Sequence, residues 1–210
     1  MNPLRRPFRY SYRNAALYLI GITAAVFALQ FLTRGMVFYY FALNPVNVLA
    51  RNMYWQFITY MFIHDMHGYS HIIFNMIALL IFGTSLERYI GSKEFVLYYL
   101  LTGVLAGVFS FVVYVLTGAN PYLVGASGAL FAVQLAYAAF FPQSYIYIWG
   151  ILPLRAPVMV MLFTAIELFS GLFGIASGIA HITHLFGFAA GVIYFFIRWG
   201  KNPFKMMFGR

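Results

Sequence analysis

Five histidines and one serine set the chemistry open to this chain. His64, His67, His71, His181 and His184 all fall at or just before the ends of apolar runs. Ser127 sits in Gly125-Ala126-Ser127-Gly128, at the head of another such run. A serine at a helix start lies beside free backbone N–H groups that can hold a developing negative charge, and flanking glycines let other backbone come close. His71 and Asn75 are four apart and so share one helix face. His184 is followed by Gly187 and Gly191, a small-residue face for tight helix contact, and Gly128, Ala132 and Ala136 make a second such face after Ser127. Packing one face on the other brings Ser127 near His184.

Taken singly, each residue has an ordinary account. A lone serine or asparagine in an apolar helix bonds its own helix or a neighbour, a lone histidine packs, and the glycine pair recurs as Gly103 and Gly107. The combination carries more: a nucleophile, a potential base and two donors in one layer, with no acidic residue among them. Rivals fall away on composition. No His-Glu-x-x-His run exists for a zinc protease, and Asp65 is the one aspartate, so an aspartyl dyad is excluded. His181 and His184 with His64 or His67 lack the carboxylate support that a zinc site needs, so no metal and no other cofactor is expected. There is no cysteine to act as a thiol nucleophile. A Ser-His pair with amide and imidazole donors remains, which is an acyl-transfer constellation.

The elements that must position these groups are membrane spans. The 210 residues are 63% hydrophobic and only 8% charged, too little polar surface to coat a soluble globule. Six apolar stretches approach or reach the length of a span: 15–32, 70–86, 95–116, 123–141, 156–174 and 179–197. All are apolar on every side, which excludes an alternating barrel pattern. The expected fold is an all-α bundle of six transmembrane helices. Residues 1–14 form a cytoplasmic N-terminal tail, 15–197 the membrane domain and 198–210 a cytoplasmic C-terminal tail. Of 13 basic residues, only Arg34 and Arg51 fall on the far side of that topology. Arg5, Arg6, Arg9, Arg13, Arg88, Lys93, Arg155, Arg198, Lys201, Lys205 and Arg210 share the near side, which the positive-inside rule places in the cytoplasm. The net charge of +9 is thus an orientation signal, and no nucleic-acid partner is expected. The first stretch is too long for a signal-peptide core and lacks a small-residue exit, so it reads as a retained span.

The loop from about Thr33 to Tyr69 is long and aromatic, with Phe38, Tyr39, Tyr40 and Phe41 in one cluster and Tyr54, Trp55, Phe57, Tyr60 and Phe62 in another. It is expected in the interfacial zone, as a membrane-anchoring belt or as a wall beside the site.

These motifs together resemble the rhomboid family of intramembrane serine proteases, over the chain from about Trp55 to Gly191. His71-Ile72-Ile73-Phe74-Asn75 is similar to that family's His-x-x-x-Asn element. Glu87-Arg88-Tyr89-Ile90-Gly91-Ser92 is similar to its Glu-x-x-x-Gly-Ser turn, Gly125-Ala126-Ser127-Gly128 to its Gly-x-Ser-Gly, and His184 with Gly187 and Gly191 to its catalytic-histidine segment. The resemblance implies Ser127 as nucleophile and His184 as base, working as a dyad without a carboxylate. It implies an oxyanion hole of His71, Asn75 and the Ser127 N–H. Gly125, Gly128, Phe131, Gly187 and Gly191 would support the site, with Phe131 packing on the imidazole. A water-filled cavity should open on the outer side. The family's first loop often carries Trp-Arg where Trp55-Gln56 stands here, so the loop's anchoring should differ. His181 should pack or line the cavity, and Glu167, midway along the fifth span, should steady that span or simply pack.

The implied activity is cleavage of a peptide bond in or beside another protein's transmembrane segment, with membrane proteins and the lipid bilayer as partners. In a bacterium the place would be the inner membrane. Two other readings compete: a catalytically silent relative that binds membrane clients, which would normally lack the nucleophile or base that this chain keeps, and a small transporter, which should show repeats and interior charges, where this chain shows no convincing repeat and Glu167 as its only mid-span carboxylate.

Overall fold

A computed structural model describes residues 5–148, 150–173 and 179–209. Gly174, where the fifth expected span ends, and Arg210, counted among the cytoplasmic charges, lie outside them. The chain is mostly helical. Among the described residues, five helices are long and apolar enough to cross a membrane: Ala15–Leu32, Ser70–Ile90, Ser92–Thr117, Ala156–Phe173 and His181–Trp199. The first is α1. The second comprises α5 (Ser70–Ala78) and α6 (Thr84–Ile90), joined through a π-helical turn at Leu79–Gly83. The third and fourth are α7 and α9. The fifth is α10 (Ile179–Tyr194), continued by a π-helical turn at Phe195–Trp199. A short helix, α11 (Pro203–Phe208), follows, with Asn202 capping its first turn.

The fourth expected stretch departs from a full span. Helix α8 runs only Ser127–Phe140, 14 residues, or about 21 Å of rise. Residues 123–126 are not helical, because Leu123 pairs its backbone with Leu43 and Gly125 has φ +109°. Helix α8 is the centre of the protein: Ala129, Ala132, Val133, Leu135, Ala136 and Ala138 are fully buried. A second departure from an all-helical fold is a hairpin between α8 and α9. Strand β1 (Tyr145–Ile148) pairs antiparallel with β2 (Leu152–Arg155). Its Tyr-Ile-Tyr-Ile alternates exposed and part-buried positions, the period-2 signature that a search for long apolar runs passes over.

The aromatic loop after α1 folds into α2 (Met36–Phe41), α3 (Pro45–Arg51), α4 (Gln56–Thr59) and a 3₁₀ turn at Tyr60–Phe62. Amide side chains hold it together. Fully buried Gln56 accepts from Asn44 N at 3.1 Å and donates to Tyr40 O at 3.1 Å. Asn44 caps α3 through Asn47 N and donates to Asn120 Oδ1 at 2.9 Å and Pro121 O at 3.1 Å. Gln56 makes these contacts as a neutral amide, without burying a charge. At the loop's far end, the Gln30 amide clamps the backbone of His64, donating to its O at 2.8 Å and accepting from its N at 3.1 Å.

On the opposite face, buried carboxylates join the spans. Glu87 accepts from Ala15 N at 2.7 Å and Ala16 N at 2.9 Å, so its charge meets the N-terminus of α1. Ser92 Oγ donates to Glu87 as well, and Ser92 N donates to Ser11 O at 2.7 Å. Glu94 accepts from Tyr194 Oη at 2.7 Å, Arg198 Nε at 2.9 Å and Trp199 Nε1 at 3.0 Å. These bonds place the start of α1, the Gly91-Ser92 turn and the end of the last span on one side of the bundle. Glu87→Ala should lower stability by about 3 kcal/mol, because two backbone N–H groups lose a charged acceptor. Thermal unfolding in detergent should show a clear fall in Tm against wild type.

Candidate active site

Ser127 is the first residue of α8, and the segment leading to it is pinned by the folded loop. Leu43 and Leu123 exchange backbone hydrogen bonds of 3.0 and 2.8 Å, and Gly125 N donates to Tyr60 O at 3.0 Å. Gly125 is required twice over. Its φ of +109° disfavours any side chain, and a Cβ there would lie 2.8 Å from the His71 ring.

The partner arrives on α10, which crosses α8 with almost no side chain between them. A Cβ on Gly187 would fall 1.8 Å from Gly128 O, and one on Gly191 would fall 3.1 Å from the Ala132 Cβ. With the helices this close, His184 Nε2 lies 2.7 Å from Ser127 Oγ. Phe131, one turn along α8, stacks on the His184 ring with centroids 4.8 Å apart and planes 9° apart. Just before His184, Thr183 Oγ1 lies 2.8 Å from Ser110 Oγ on α7. The arrangement suits transfer of the serine proton to imidazole.

The far side of the imidazole is occupied by a carboxylate. Glu167, on α9, places Oε2 3.1 Å from His184 Nδ1 and in close hydrogen-bond contact with His181 Nδ1. The expectation of a layer free of acidic residues is therefore corrected at this point. His181 is not among the residues that line the cavity; it holds Glu167. The signal was present in the sequence as a single mid-span carboxylate, which in lipid needs a partner. Which partner it meets depends on how α9 packs on α10.

A cavity of about 500 Å³ lies over the pair, lined by Ser127, His184, His71, Asp65, Thr183 and Tyr122 among others. It opens on the side of the folded loop. His71 reaches it; Asn75, four residues on, is 6% exposed and is not among its lining residues. The Asn75 amide donates to His71 O at 2.7 Å, while its Oδ1 makes no hydrogen bond. His64 sits behind His71, fully buried, with ring centroids 5.1 Å apart. His67 is remote in role, its N–H capped by Asp65 Oδ1 at 3.0 Å.

Glu167, His181 and His184 are also the one group of metal-ligand type that converges among the described residues. In the structure Glu167 Oε2 contacts both imidazoles.

A profile of the Rhomboid domain matches residues 51–201. Rhomboid protease GluP of Bacillus subtilis (strain 168) is 35% identical over 98 residues, 46% of this chain and 19% of that protein. Putative rhomboid protease YdcA of the same strain is 28% identical over 152 residues, 71% of this chain and 69% of that protein. The presenilin-associated rhomboid-like protein, mitochondrial, of Rattus norvegicus is 34% identical over 129 residues, 60% of this chain and 32% of that protein. The chain thus spans 19%, 69% and 32% of the length of these three relatives.

Two outcomes follow from the packing. Gly187→Ala should force the helices apart and unfold or strongly destabilise the protein, whereas Gly191→Ala should be milder because the Tyr98 hydroxyl and Ala132 can give a little; Tm values of the two variants rank them. Burial, with His71 adding to it, pushes the His64 imidazole down to about 4. Unfolded His64 takes a proton near pH 6.5 and folded His64 only near pH 4. Stability contributed by this group is therefore full above pH 6.5 and declines as pH falls toward 4. The decline amounts to about 3 kcal/mol. His64→Leu should flatten that part of a Tm-against-pH curve; an unchanged curve would rule His64 out as its source.

Proposed function

The chain belongs to the rhomboid family, and on that premise we propose that it is an intramembrane serine endopeptidase using Ser127 and His184. The observation that carries this reading is the 2.7 Å approach of Ser127 Oγ to His184 Nε2 at a helix N-terminus beneath an open cavity. Ser127 Oγ attacks the scissile carbonyl as its proton passes to His184 Nε2. The oxyanion forms beside the first turn of α8, where the Ser127 N–H, His71 and Asn75 supply donors. Asn75 has two amide hydrogens and gives one to His71 O, which leaves one for the oxyanion. Collapse breaks the C–N bond, and His184 returns the proton to the leaving amine. Water from the cavity then hydrolyses the acyl-enzyme by the same proton relay. Phe131 holds the imidazole plane, and Gly125, Gly128, Gly187 and Gly191 permit the close approaches.

The membrane setting is part of the proposal. Helix α8 serves as the fourth of six spans in the domain at 15–197, about 9 Å shorter than the hydrocarbon core. Ser127 is then recessed from the outer surface, and the irregular backbone before it is tolerated because it lines a cavity. The basic residues put the tails at 1–14 and 198–210 in the cytoplasm. Substrates are single-span membrane proteins cleaved in or beside the span, at segments rich in small or poor helix-forming residues. A helix must unwind before its carbonyl reaches Ser127, and such residues reduce that cost.

Purified protein should cleave a model single-span substrate in detergent or vesicles. Ser127→Ala and His184→Ala should each remove at least 99.9% of the rate with Tm nearly unchanged, and Asn75→Ala should lower it roughly 100- to 1,000-fold. Wild-type protein that binds such a substrate but never cleaves it would favour a client-binding role. Full activity in Ser127→Ala would move the site elsewhere.

A further inference from the structure

We infer that Glu167 completes the site as a third member, a positioning residue that receives the Nδ1–H of His184 and so turns the Nε2 lone pair toward Ser127. The inference rests on the protease reading and departs from the carboxylate-free dyad that the family resemblance implies.

Three observations carry it. The distance from Glu167 Oε2 to His184 Nδ1 is 3.1 Å, with both side chains only 17% exposed. His184 Nδ1 is itself buried and makes no well-directed hydrogen bond in the resting geometry, with this carboxylate oxygen beside it. A buried ring nitrogen is rarely left so, and catalytic hydrogen bonds that are misaligned in a resting enzyme tighten when substrate binds. Finally, Oε2 is fixed from the other side by His181, one turn earlier on α10. Among the described residues Glu167 has no Lys or Arg partner; its two contacts are the imidazoles of α10. A mid-span carboxylate in lipid is expensive unless it is paired or put to use.

The geometry gives each atom one task. A carboxylate accepting from Nδ1–H excludes the tautomer in which Nε2 carries the proton, so Nε2 is free to accept from Ser127 Oγ–H. During attack the Oγ–C bond forms, the carbonyl π pair moves to oxygen, and the proton moves to Nε2. The imidazolium then stands against a carboxylate that keeps its charge. When the C–N bond breaks, the Nε2 proton goes to the amine and the pair returns to its starting state. Glu167 never takes the proton; it fixes the ring. His181 keeps Oε2 in place between cycles.

The test uses the full-length protein, a model single-span substrate and a fluorophosphonate probe that labels the active serine without peptide. Glu167→Leu removes the acceptor and should lower kcat at least tenfold with KM changed less than twofold, and the labelling rate of Ser127 should fall in parallel. A purely structural carboxylate predicts the opposite, since leucine is at home in an apolar span. If the leucine variant does not fold, Glu167→Gln, which keeps the shape, carries the same measurements. His181→Ala should cost less, about two- to fivefold. In ¹⁵N-histidine spectra, His184 should carry its proton on Nδ1 in wild type and lose that preference in Glu167→Leu. Wild-type cleavage with kcat retained within twofold in a folded Glu167 variant overturns this inference alone. Wild-type protein that neither cleaves nor labels overturns the protease reading itself.

Discussion

Where Gly187 meets Gly128, two helix backbones touch, and the geometry of the site depends on that contact. A single methyl group on Gly187 would overlap the Gly128 carbonyl. In a bilayer the hydrophobic effect does not drive helices together, because lipid tails are as apolar as the side chains they would replace. Close packing of small residues supplies the attraction instead. Here it also sets a distance, because the separation of α8 and α10 fixes how far His184 stands from Ser127. The alanines that line α8 are the continuation of that constraint.

The second organising constraint is the cost of polarity. The chain has four acidic residues, and in the structure each is engaged. Glu87 caps the start of α1, Glu94 ties α7 to the end of the last span, Asp65 caps a turn in the loop, and Glu167 meets two histidines. The loop after α1 follows the same economy with neutral groups. Asn44, Gln30 and Gln56 satisfy buried backbone without introducing charge. Its task is mechanical: through Leu43 and Tyr60 it holds the strand-like segment that delivers Ser127 to its helix.

The two constraints meet at the imidazole of His184. It is gripped by Phe131 on one face, with Ser127 at one nitrogen and Glu167 at the other. Four side chains from three helices converge there, so the site is as rigid as the packing of α8, α9 and α10. The cavity above it is walled partly by the loop, which makes the same segment both an anchor for Ser127 and a boundary of the space over it.

Much of this was legible in the chain itself. Apolar length marks the spans, because a helix is the cheapest way to satisfy backbone in lipid. The first span has the bounds 15–32 expected from it. The glycine pair after His184 and the small residues after Ser127 announced a close crossing, since only missing side chains allow one. The lone Glu167 announced that something must pair with it. Local pattern does not reveal which groups meet through space. The fourth apolar stretch read as a whole span, but the pairing of Leu123 with Leu43, 80 residues earlier, draws its first residues out of the helix. The hairpin of Tyr145–Ile148 and Leu152–Arg155 was hidden by the same preference for long runs. Above all, the sequence supplied serine, histidines and glutamate on three separate helices, and the crossing angles of those helices decided that the carboxylate would sit 3.1 Å from His184 Nδ1. Residue type and spacing dictate what each helix must hide, whereas the choice of neighbour is a property of the packed bundle.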